Sequence, residues 1–186
     1  MDPSNSLQER RERFEALAAE VFEPLQRYLR RRATADEAEE AFGDTLLALW
    51  RRLDDIPPAA ALPWSYGVAR RVLANRRRGS VRQRQLAERM SRLMPARFEP
   101  DPSAAPDHPE LAAALQALRE GDREVLTLWA WEQLEPREIA TALGVSVNAA
   151  TLRLSKAKRR LAKEMRGQTE AGSGHMGVEN PRSADE

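Results

Sequence analysis

The chain has no cysteine in its 186 residues. This excludes disulfides, thiolate metal sites and a cysteine nucleophile. Histidine is almost as scarce. His108 lies among prolines and His175 among glycine and serine, so a structural zinc site is not expected. Long apolar runs are missing too: no stretch approaches the ~20 residues needed to span a bilayer. The charged segment Glu9-Arg10-Arg11-Glu12-Arg13 lacks the apolar stretch of a signal peptide. These features predict a cytoplasmic protein without membrane insertion. There is no phosphate loop and no cluster of catalytic or metal-ligating residue types, so neither an enzyme nor a bound cofactor is expected.

An excess of charge of one sign is also absent, since the net charge is only +1. The charge is instead segregated along the chain. Between Trp64 and Leu93 there are nine arginines against the single Glu88, and between Val147 and Arg166 seven lysines and arginines against Glu164. Asp36, Glu37, Glu39, Glu40 and Asp44 concentrate acid elsewhere. Two separate basic segments in a nearly neutral chain suggest two contacts with a polyanion.

What is present is helical periodicity. Phe14, Leu17, Ala18, Val21, Leu25 and Leu29 recur at three- and four-residue spacing, with Pro24 expected to bend or interrupt that helix. A second helix is expected from Thr34, an N-cap followed by acids, with Ala38, Phe42, Thr45, Leu46, Leu49, Trp50 and Leu53 as its stripe. A third is expected from about Pro63, carrying Trp64, Val68, Ala69, Val72 and Leu73, with Gly79 as its weak point. Residues 94–109 hold five prolines and predict a stiff linker. Periodicity resumes at Leu111, Leu115 and Leu118, then at Val125, Leu126, Leu128 and Trp129, with Gly121 expected to separate the two. From Gln168 onward glycine, serine and acids predict disorder. The fold class is therefore all-α. Two small helical domains (6–93 and 110–166) are joined by the Pro-rich linker (94–109) and followed by a tail (167–186).

The strongest local signal is Glu135 to Leu154. Pro136 suits a first helical turn, Ile139 and Leu143 supply a buried face, and Ala140 is small enough for a neighbouring helix to approach. Gly144 can adopt the left-handed conformation that ends a helix, Val145 can fill the angle, and Ser146 can cap the next helix. That helix keeps Ala150, Leu154, Ala157 and Leu161 on one side. Asn148, Thr151, Arg153, Ser155, Lys156 and Arg159 are left on the others. This is the pattern of a helix-turn-helix with a charged recognition helix, and Arg153 and Lys156 are placed to reach base edges or phosphates.

The second half resembles region four of sigma factors, through Glu138-Ile139-Ala140, Leu143-Gly144-Val145-Ser146 and Arg153-Leu154-Ser155-Lys156-Ala157-Lys158. The first half resembles their region two, through Glu37-Ala38-Glu39-Glu40, Asp44-Thr45 and Trp50, then Trp64-Ser65-Tyr66-Gly67-Val68-Ala69-Arg70-Arg71. Order and spacing together resemble the extracytoplasmic-function group of the sigma-70 family. Gly43, Asp44, Arg71, Ala149, Thr151 and Leu152 depart from that group's usual residues.

The resemblance implies partners and sites. Glu40, Asp44 and Arg51 would dock on the clamp of core RNA polymerase, with the flap as a further contact. Arg70, Arg71, Arg76, Arg77 and Arg78 would hold the minus-ten promoter element, and the Pro57–Ala61 loop would receive an extruded base. Trp64 and Tyr66 are possible stacking groups, with Trp64 better suited to the core. The recognition helix would read the minus-thirty-five element as duplex DNA. An anti-sigma factor is a further implied partner. Two other readings fit part of the pattern: a conventional helix-turn-helix regulator, and a sigma-like decoy that binds only an anti-sigma protein.

Overall fold

Apolar spacing of three and four residues drives each segment to bury one helical face, and the computed structural model shows the result as seven α-helices among the described residues. The structure describes residues 3–90 and 108–173, with side chains over 6–79 and 108–167. The helices are α1 (Pro3–Arg30), α2 (Ala35–Arg51), α3 (Ala61–Met90), α4 (Pro109–Ala117), α5 (Glu120–Ala130), α6 (Pro136–Leu143) and α7 (Val147–Ser173). Two short 3-10 turns, Leu53–Asp55 and Pro58–Ala60, join α2 to α3. No strand occurs among the described residues, in keeping with the all-α expectation. The expected linker falls mostly on residues 91–107, and the end of the expected tail on 174–186; both lie outside the described residues.

Helices α1, α2 and α3 pack on one another. Val21, Leu25, Tyr28 and Leu29 from α1 meet Ala41, Thr45 and Leu49 from α2 and Val68, Ala69 and Leu73 from α3, all buried. Pro24 does not interrupt α1. It removes one backbone hydrogen bond, but the four buried residues around it hold the helix through that point. Thr34 caps α2 as expected, its hydroxyl accepting from the Glu37 amide at 3.4 Å. Arg10 and Arg13 both reach Asp54, tying the first half of α1 to the 3-10 turn after α2 and holding that carboxyl below the usual range. Helix α3 starts at Ala61 rather than Pro63 and passes through Gly79. A glycine inside a helix costs about 1 kcal/mol, which a long helix absorbs.

In the second half α7 packs against α4, α5 and α6. The break between α4 and α5 falls at Leu118-Arg119, both extended, and Gly121 lies inside α5. Leu118 is buried there, and the Arg123 guanidinium donates to the carbonyls of Gln116 and Leu118, satisfying the end of α4. Burial of Leu118, rather than the freedom of Gly121, sets this break. Helix α7 continues past Gln168 to Ser173, further than composition suggested.

The two halves share one continuous core, because α3 packs directly on α6. Gly67 makes this approach possible: a Cβ there would lie 2.7 Å from the carbonyl oxygen of Ala142. No described helix is long and apolar enough to cross a membrane.

Candidate nucleic-acid interface

The helix-turn-helix is built as its residues dictate. The Glu135 amide donates to the Glu138 carboxylate at 2.8 Å, and Pro136 occupies the first turn of α6. Gly144 adopts φ 66° and ψ 42°, the left-handed cap expected of it. The Val145 amide then reaches the Ala140 carbonyl at 3.0 Å and the Gly144 amide the Thr141 carbonyl at 3.3 Å, closing the helix end. Ser146 caps α7 by accepting from the Ala149 amide at 3.2 Å. Ile139, Ala140, Ala150, Leu154 and Ala157 are buried, and Val145 and Leu161 pack against them.

This burial fixes what α7 presents. Asn148, Thr151, Arg153, Ser155, Lys156 and Arg159 are all exposed. At about 100° per residue, Asn148, Ser155, Lys156 and Arg159 fall opposite the buried stripe, with Thr151 and Arg153 on its two flanks. The Thr151 hydroxyl donates back to the Val147 carbonyl at 2.9 Å. Other cations of α7 are engaged within the protein: the Lys158 ammonium lies 3.3 Å from the centre of the Trp129 ring, and Arg160 pairs with Asp122.

The expected minus-ten surface on α3 is arranged differently. Arg76 pairs with both Glu40 and Asp44, with 2.6 Å to Asp44. One expected DNA contact thus bridges two expected polymerase contacts. Arg77 donates to the Arg32 carbonyl at 2.6 Å, and Arg78 to Asn75 Oδ1 at 2.5 Å. Arg70 is half-buried with its Nε unpartnered within the protein. Arg71 is exposed, with one guanidinium nitrogen beside Gly144. Arg51 is exposed on α2, and Pro57, Pro58 and Ala59 are exposed in the loop before α3. Tyr66 is buried and stacks at 5.0 Å on Tyr28, so it offers no stacking face. Trp64 is half-buried under the Arg52 guanidinium.

Sequence reasoning missed the charged junction between the halves. Arg32, at the end of α1, lies 3.7 Å over the Tyr28 ring. It donates to Glu132 at 3.1 Å, to the Thr127 hydroxyl at 2.9 Å and to the Tyr28 carbonyl at 3.2 Å, with Glu124 at 3.5 Å. Arg31 donates to the other oxygen of Glu132 at 2.6 Å, and the Tyr28 hydroxyl donates to Glu124 at 2.9 Å. The Glu132 side chain is only 3% exposed and that of Arg32 11%. Next to Glu132, Gln133 takes φ 56°, a conformation that non-glycine residues adopt at some cost. The sequence signals were the Arg30-Arg31-Arg32 run at a helix end and a glutamate directly after Trp131, each ordinary taken alone.

Both tyrosines of the chain sit at this junction. Burial, then the Glu124 carboxylate, pushes the Tyr28 phenol far above its ordinary value. Burial, then the Glu132 carboxylate, pushes Tyr66 up to about 12 from 10.0. The folded state therefore keeps protons that the unfolded chain releases. The corresponding stability is complete below pH ~10 and is lost as pH rises through the folded values. We predict that neither phenol titrates with its ordinary midpoint of 10.0 while the chain is folded. A near-ultraviolet phenolate titration with an ordinary midpoint in the folded protein would contradict the burial.

Comparison with known proteins joins this geometry to a family. The family profile for sigma-70, region 4 matches residues 108–161, the span of α4 to α7 that holds the turn at Gly144. A probable RNA polymerase sigma factor, RfaY, of Xanthomonas campestris pv. campestris is 34% identical over 142 residues, covering 72% of this chain and 34% of that protein. Residues 108–161 belong to the sigma-70, region 4 family. The RNA polymerase sigma-E factor of Streptomyces antibioticus is 35% identical over 97 residues, covering 52% of this chain and 54% of that one. The chain thus spans between one third and about half of the length of these curated relatives. Among solved structures, the sigma factor RpoE of Bartonella quintana, in complex with the anti-sigma factor NepR, superposes with a TM-score of 0.54 at 21% identity. The match covers 87% of this chain and 97% of that one, and places the arrangement of helices in the same fold.

Proposed function

We propose that the chain is a sigma factor of the extracytoplasmic-function type, which binds core RNA polymerase and directs it to promoters carrying minus-ten and minus-thirty-five elements. The observation that carries this is the exposed polar and basic face of α7, set by the Gly144 turn inside the region matched to sigma-70 region 4. A basic helix entered through such a turn suits the major groove, with Asn148, Thr151, Arg153, Ser155, Lys156 and Arg159 facing the minus-thirty-five duplex. In the first half, Arg70, Arg71, Arg76, Arg77 and Arg78 supply cations for the strands of the minus-ten element, where backbone charge dominates affinity. Residues 6–93 and 110–166 act as the two binding units, 94–109 as the linker and 167–186 as a tail. The chain needs no cofactor and no chemistry of its own, since polymerase makes the RNA. It works in the cytoplasm, under an anti-sigma factor that occupies its polymerase-binding faces.

The polymerase contact is assigned to α2, where Glu40, Asp44 and Arg51 share one face at helical spacing. A double charge reversal, Glu40→Lys with Asp44→Lys, should lower association with core polymerase at least about tenfold, since like charges across an interface are strongly disfavoured. Co-elution of the purified protein with core enzyme, with helicity checked by circular dichroism, measures this. Unchanged co-elution would move the polymerase contact off α2. Tight sequence-specific duplex binding without polymerase would instead favour a conventional helix-turn-helix regulator. Capture of an anti-sigma protein without any polymerase binding would favour a decoy.

A further inference from the structure

The exposed stripe of α7 carries one residue whose chemistry differs from that of its neighbours. At about 100° per residue, Asn148, Leu152, Ser155 and Arg159 follow one line along the helix, on the side away from buried Ala150, Leu154 and Ala157. Leu152 is 52% exposed in the middle of that line, with Lys156 exposed one turn further on. Val147 is equally exposed, but it is the first residue of α7 and lies beside the buried stripe. A single surface leucine is ordinary by itself. This one occupies the centre of the face that the Gly144 turn presents, with Asn148 before it and Lys156 and Arg159 after it.

Lysine, arginine and asparagine on such a face bond to phosphates or to the donors and acceptors of base edges. A leucine side chain can make neither kind of bond. The major-groove edge of a base pair offers it one apolar group, the C5-methyl of thymine. Placed against the amino group of cytosine or adenine, the same side chain would strip water from a donor and return no hydrogen bond. Attraction to the methyl and the penalty against other bases therefore act in one direction. We propose that Leu152 is a specificity-determining residue, which selects a thymine in the minus-thirty-five duplex by packing on its C5-methyl. The proposal deepens the sigma-factor reading and rests on it. The cations around Leu152 hold the helix in the groove, and Leu152 sets one position of the sequence that is accepted.

The test compares the unchanged chain with Leu152→Ala, each assembled with core polymerase. The substitution leaves the Ala150-Leu154-Ala157 core untouched, so folding is preserved and binding is the readout. Each assembly selects bound fragments from a random-sequence duplex pool. With the unchanged chain, the enriched upstream element should contain one position that requires thymine, where any other base lowers affinity about tenfold. Replacing that thymine by uracil removes the methyl alone and should lower affinity about fourfold, the worth of one buried methyl group. With Leu152→Ala, thymine and uracil templates should bind equally, and other bases should be accepted at that position. An enriched element in which no thymine responds to uracil would overturn the inference and leave the sigma-factor reading standing. A uracil effect that persists at full size in Leu152→Ala would also overturn it, by assigning the methyl to another side chain. No enriched element with either protein would overturn the sigma-factor reading and this inference together.

Discussion

Arg32→Ala will turn a single cooperative unfolding transition into two, because the Arg32 guanidinium carries two of the three ion pairs seen between the halves among the described residues. Its guanidinium is 11% exposed, rests on the Tyr28 ring and donates to Glu132 and Thr127 across the junction, with Glu124 also in reach. Removing one partner of a buried ion pair costs about 3–5 kcal/mol, chiefly by stranding the remaining charge. Here Glu132 is 3% exposed and would keep only Arg31. The least costly response is for the halves to separate and let Glu132 take up water, so the loss falls on the junction rather than on either core. Differential scanning calorimetry should show one transition for the unchanged chain and two for Arg32→Ala, the earlier well below the original. Arg32→Lys should behave nearly as badly, since an ammonium cannot fork to three acceptors while lying flat on a phenol. One unshifted transition in Arg32→Ala would mean that the junction contributes little to cooperativity.

Replacing Arg153 and Lys156 together by alanine is expected to weaken promoter binding by the assembled polymerase about 100-fold, each contact being worth ~1–3 kcal/mol. Both side chains are exposed on α7, on helical positions that leave the Ala150, Leu154 and Ala157 core untouched. The loss should therefore appear in binding and not in thermal stability. Where a removed side chain met a phosphate, the dependence of log affinity on log salt should flatten by about one unit; where it met a base, discrimination at one promoter position should relax instead. Retained affinity and salt slope would place the duplex contact elsewhere than α7.

Legibility in the sequence followed the range of the interactions. The helix-turn-helix could be read almost to the residue, because each of its devices is local: the left-handed Gly144, the Ser146 cap and the Ala150-Leu154-Ala157 stripe act within a few positions of one another. Breakers were overread for the same reason. Pro24 and Gly121 are local signals for interruption, yet Val21, Leu25 and Tyr28 hold α1 through the proline, and buried Leu118 moves the α4–α5 break ahead of the glycine. The charged junction was not legible. Arg32 and Glu132 lie a hundred positions apart, and nothing near either marks it as the other's partner. The expected separation of polymerase and DNA surfaces in the first half was likewise a reading of helix faces in isolation. Packing of α2 on α3 brings Glu40 and Asp44 onto Arg76. Gly67 is the instructive case. In the sequence it is an unremarked helical glycine, and only the carbonyl of Ala142, from the other half, gives it a reason.

Transcription in vitro with purified core polymerase tests the central claim most directly, using sheared genomic DNA as template and mapping the RNA starts made with and without the chain. A sigma factor of this type predicts discrete new starts that share two spaced upstream elements and are absent without the chain. No new starts in the presence of the chain would contradict the account.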